Sequence, residues 1–92
     1  MNKSEVMYSY SQAMRQAELL EETALKMEAL AEKQIADISE KLKNKWATDS
    51  TRLYFRKLEQ VKCEISENAW KLRKAADEIK SNAENIKKLL NE

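Results

Sequence analysis

The chain has 92 residues, 36% of them charged, and it contains no glycine, no proline and no histidine. Seventeen basic side chains against sixteen acidic ones leave a net charge of +1. That composition leaves room for one domain, excludes a glycine-lined phosphate loop, and removes the commonest general base and the commonest metal ligand.

The charges are also evenly spread. Residues 1–46 carry 7 basic and 8 acidic side chains, and residues 47–92 carry 10 and 8. Neither half is a basic arm, which argues against nucleic acid as a partner. Unbroken apolar runs stop at three residues, as in Leu53-Tyr54-Phe55, far short of a membrane span. The first residues, Met1-Asn2-Lys3-Ser4-Glu5, lack the apolar core of a secretory signal peptide. Cys63 is the only cysteine, so neither an internal disulfide nor a multi-cysteine zinc site can form.

In chain order, Ser4 is the expected N-cap of a first helix, with the helix running over about 4–44. Its apolar stripe is Val6, Tyr10, Ala13, Ala17, Leu20, Ala24, Met27, Ala31, Ile35, Ile38 and Leu42, which advances by 3.6 residues per step on average. Glu22 with Lys26 and Asp37 with Lys41 are spaced for supporting ion pairs, and Lys41, Lys43 and Lys45 gather where the helix dipole favours cations.

The period then breaks. Thr48, Asp49 and Ser50 are consecutive capping residues, with Asp49 the expected cap, and they place a turn at about 45–49. A second helix over about 50–90 carries the stripe Tyr54, Leu58, Val61, Ile65, Ala69, Leu72, Ala76, Ile79, Ala83, Ile86 and Leu90. Glu67 with Lys71 and Glu84 with Lys88 repeat the ion-pair spacing. The two stripes mirror each other: Leu42 and Tyr54 sum to 96, as do Met27 and Ala69, Val6 and Leu90, and every pair between. A chain folded back near residue 48 sets each apolar residue beside its mirror partner. The expected fold is therefore all-α, a two-helix antiparallel hairpin spanning the whole chain.

Two helices about 60 Å long bury little apolar area per ordered residue. A second copy or another helical partner is expected to complete a four-helix bundle. Residues off the seam point the same way. Met14 and Leu25 on the first helix, and Trp70 and Phe55 on the second, are candidate partner contacts, since a solvated face seldom carries a tryptophan. Trp46 is expected at the hairpin end, packed over Leu42 and Tyr54 with an edge free for recognition.

No catalytic, metal-binding or cofactor-binding residues are expected. The acidic residues lack the histidines of a di-metal bundle site, Cys63 has no histidine to activate it, and a two-helix rod offers no cleft. Membrane-surface binding is disfavoured because acids and bases alternate on the polar faces and the apolar stripe is narrow and alanine-rich. A lipid-surface helix pair is the weakest of the readings.

The length, the hairpin pattern and the central tryptophan give the chain a resemblance to the WXG-motif family of small secreted proteins, the early secreted antigens exported by type VII secretion systems. The matching residues are Trp46-Ala47-Thr48, where threonine stands in place of the family's glycine. The family's C-terminal export signal, an aromatic followed four residues later by an acid, has no counterpart: Lys74 follows Trp70 at that distance and Leu58 follows Tyr54. The resemblance implies a non-enzymatic protein, cytoplasmic or exported without a cleaved signal peptide. It implies a secreted substrate, a homodimer or heterodimer partner, or a targeting helper for a larger secreted effector. The recognition patch would combine Trp46 of one chain with the tail of the other. The competing expectation is a structural or adaptor coiled-coil subunit of a helical complex.

Overall fold

In the computed structural model the described residues are 2–43 and 49–91. They form two helices, α1 (Lys3–Lys43) and α2 (Asp49–Asn91), packed side by side and antiparallel. The hairpin is a rod measuring 67 × 16 × 13 Å. Both helices run unbroken because nothing in them interrupts the hydrogen-bond ladder: glycine and proline are absent, and alanine, leucine, glutamate and lysine dominate.

The start of α1 corrects one expectation. The cap is Asn2, whose Oδ1 accepts the Glu5 amide hydrogen at 2.9 Å while its carbonyl accepts that of Val6 at 3.1 Å. Ser4 lies inside the first turn. Asparagine caps as well as serine does, and capping two residues earlier adds hydrogen-bonded residues to the helix. Asp49, expected to cap α2, is its first helical residue, where its carboxylate meets the positive end of the dipole. Most of the expected turn falls outside the described residues.

The mirrored register is realised. Four cross-helix contacts join Tyr10 to Glu84, Tyr10 to Lys87, Glu21 to Lys80 and Glu28 to Arg73. Their positions sum to 94, 97, 101 and 101: the two contacts near the chain ends lie within two of the expected 96, and the two long ion pairs reach five past it, about 1.4 turns.

The core is narrower than the stripes. Among the described residues the buried apolar side chains are Val6, Ala17, Ala24, Ala31, Ala69, Ala76 and Ala83, and no polar side chain is buried. The alanines recur every seven residues on each helix, the spacing that keeps one line of side chains on a helix–helix seam. The larger seam residues stay half-buried, and Tyr54, Val61 and Ile86, expected inside, are exposed. Two helices shield only the line directly between them, so side chains that reach past that line emerge at the groove edges.

Of the four ion pairs expected along the helices, only Glu67–Lys71 forms among the described residues, with N and O 3.7 Å apart. Glu84 turns to Tyr10 instead of Lys88. Exposed pairs gain little from pairing and lose side-chain freedom on doing so.

Candidate interaction surface

At about 100° per residue, the alanine line divides each helix into two flanks of different chemistry. On one flank of α1 stand Tyr10, Glu21 and Glu28. They meet Glu84, Lys87, Lys80 and Arg73 on the corresponding flank of α2. Tyr10 is held twice: its hydroxyl donates to Glu84 Oε1 at 2.6 Å, and the Lys87 ammonium lies 4.6 Å from its ring centroid. The hydrogen bond to Glu84 chiefly, with burial and the carboxylate charge adding to it, raises the Tyr10 hydroxyl above its ordinary value of 10.0. Glu21 bonds the Lys80 ammonium and raises it above 10.5, against a smaller opposing effect of burial. This flank is a polar clasp along the rod.

The other flank carries Ser9, Leu20 and Met27 on α1 and Leu72, Ile79 and Ile86 on α2. Near the chain ends it opens into a groove of about 300 Å³ lined by Val6, Ser9, Tyr10, Ala13, Ile79, Asn82, Ala83 and Ile86. The lining is apolar except for Ser9, Asn82 and the Tyr10 hydroxyl, and no charged side chain enters it. One face of the hairpin is therefore cross-linked by charge, and the opposite face is apolar and open.

Trp46, Ala47 and Thr48 lie outside the described residues. Trp70 is 56% exposed on α2, with the Lys74 ammonium 5.1 Å from its ring centroid. Leu25 is 62% exposed on α1, whereas Met14 and Phe55 are half-buried. The apolar groove was missed by a reading that followed single off-seam residues. The signal available in the sequence was the absence of charge along one flank of the stripe. Cys63 is exposed and unpaired by any disulfide.

Among the described residues, no group of three or more side chains is placed to hold a metal ion, and no helix is long and apolar enough to cross a membrane. No family model matches the chain, and neither a curated protein nor a solved structure is similar to it beyond chance.

Proposed function

We propose that this chain is a non-enzymatic helical hairpin that works by binding other helical protein, and that it serves type VII secretion as a substrate, dimer partner or targeting helper. One observation carries the association: the hairpin buries alanines and Val6 while leaving large apolar side chains such as Leu19, Leu30 and Ile86 at its surface. A hairpin with so small a core gains stability by covering those side chains against another protein. The secretion assignment rests on the resemblance of the hairpin pattern and of Trp46-Ala47-Thr48 to the WXG family.

The test is Trp46→Ala in cells with a type VII system, reading the secreted amount of this chain and of any effector that accompanies it. Loss of export with unchanged helicity and melting temperature is the expected result. Unchanged export, or a variant that simply unfolds, overturns the recognition role.

The exposed Trp70 supports the adaptor reading, because it offers a large contact residue on the rod and away from the turn. That reading expects Trp70→Ala to abolish partner binding and Trp46→Ala to leave it intact.

A further inference from the structure

We infer that the hairpin works as two parts. The part toward the chain ends is clasped. The part beside the turn, residues 33–43 and 49–61, opens by local unfolding while the clasped part stays folded. A polar break in the seam at Glu32 and Lys62 divides them.

Burial stops at that break. Among the described residues the buried side chains are Val6, Ala17, Ala24 and Ala31 on α1 and Ala69, Ala76 and Ala83 on α2, and none lies within 32–42 or 49–68. The links of the clasp fall on the same side, joining residues between 10 and 28 to residues between 73 and 87. Beside the turn the seam consists of Ile35, Ile38, Leu42, Phe55 and Leu58, all half-buried. Apolar stabilisation scales with the area removed from water, so this part gains less from docking. A segment with few buried apolar contacts opens at a lower free energy than the rest of its fold.

The break is written in the heptad spacing. Seven-residue steps along Ala83, Ala76 and Ala69 lead next to Lys62, so a lysine occupies the seam line. On α1 the same steps along Leu20 and Met27 lead to Gln34 and then Lys41. Lys62, Gln34 and Lys41 are all exposed. At this level a cleft of about 20 Å³, room for one water, is lined by Glu28, Ala31, Glu32, Lys62, Ile65 and Ser66. Four of those six residues are polar or charged, so the apolar seam is interrupted there. Polar residues on such a line lower the stability of a helix pair.

Helix propensity does not compensate. Neither part contains glycine or proline, so packing decides which one opens. Once undocked, each helical segment beside the turn is about a dozen residues long, a length at which an isolated helix is marginal in water. Opening exposes Ile35, Ile38, Phe55 and Leu58 to a partner without dismantling the clasp.

The experiment is native-state hydrogen exchange on the full chain at low micromolar concentration, read peptide by peptide by mass spectrometry, with circular dichroism on each sample. In wild type, amides over 35–42 and 53–61 should exchange at least about tenfold faster than those over 13–28 and 72–83. Lys62→Leu, which makes the seam apolar at the break, should slow the turn-proximal amides about fivefold or more. Lys57→Leu, on the same stretch of α2 and off the seam line, should not. Ala76→Gly should speed exchange over 13–28 and 72–83 about fivefold and leave 35–42 and 53–61 unchanged, since their opening does not pass through the clasped part. Should Ala76→Gly fail to fold, Ala24→Gly gives the same comparison from the other helix. Equal exchange along both helices of the wild type, an equal response of both parts to Ala76→Gly, or identical effects of Lys62→Leu and Lys57→Leu overturns the proposal.

Discussion

Tyr10 and Glu84, 74 residues apart in sequence, share a 2.6 Å hydrogen bond that ties the start of α1 to the end of α2. It closes the end of the hairpin farthest from the turn, where no covalent connection holds the helices together. Tyr10→Phe should therefore lower the melting temperature and speed amide exchange over the first turns of α1 and the last turns of α2, leaving the middle of the rod unchanged. Because the Tyr10 hydroxyl is raised in the folded chain, the folded state holds that proton more tightly than the unfolded state does. The stabilisation is present in full below pH 10 and is lost as pH rises through the raised value. The gap in melting temperature between wild type and Tyr10→Phe should be constant from neutral pH up to about 9 and shrink above 10. A gap that persists at the highest pH rules out the hydrogen bond as its source.

Lys80 obeys the same sign rule. Its ammonium is raised by Glu21, so the stabilisation holds below pH 10.5 and disappears as pH rises through the folded value. Glu21→Gln should lower stability at pH 7, and the variant and wild type should converge at strongly alkaline pH. If the difference is independent of pH, Glu21 acts through packing.

Glu28 and Arg73 form the third link of the clasp, with 40% of the Arg73 side chain and 32% of the Glu28 side chain exposed. At that exposure a double-mutant cycle over Glu28→Ala and Arg73→Ala should give a coupling of about 0.5 kcal/mol that falls in high salt. Exchanging the charges, Glu28→Arg with Arg73→Glu, should recover most of the loss of either single reversal. A double variant whose loss equals the sum of the two single losses would show that the two residues do not meet in solution.

The alanine line sets how closely the helices approach. Ala24→Leu or Ala76→Leu inserts a side chain where none fits and should cost about 1–3 kcal/mol, a fall of roughly 4–8 °C in melting temperature per kcal/mol. Ala29→Leu, at an exposed position on the same helix as Ala24, should be within about 0.5 kcal/mol of wild type. Thermal melts by circular dichroism separate the cases. A stable Ala76→Leu variant would mean that the helices lie farther apart than the buried alanines require.

At the N-terminus the two candidate caps give opposite expectations. Asn2→Ala should cost about 1 kcal/mol of helix stability through loss of the bond to the Glu5 amide, and Ser4→Ala should be close to neutral. The reverse order would return the cap to Ser4.

Much of this protein is determined by sequence alone. The two 3.6-period stripes, the absence of glycine and proline, and the mirror relation about residue 48 establish two helices, their direction and their register, because periodicity and helix propensity are local properties. Tertiary structure decided what local properties do not contain. Which seam residues are shielded depends on how far each side chain reaches past the line between two cylinders, so the alanines are buried and Tyr54, Val61 and Ile86 are not. Which charged residues pair depends on the flank each one occupies once the helices are set side by side. Glu84 therefore meets Tyr10 across the hairpin instead of Lys88 one turn away, and one face becomes a clasp while the other stays open.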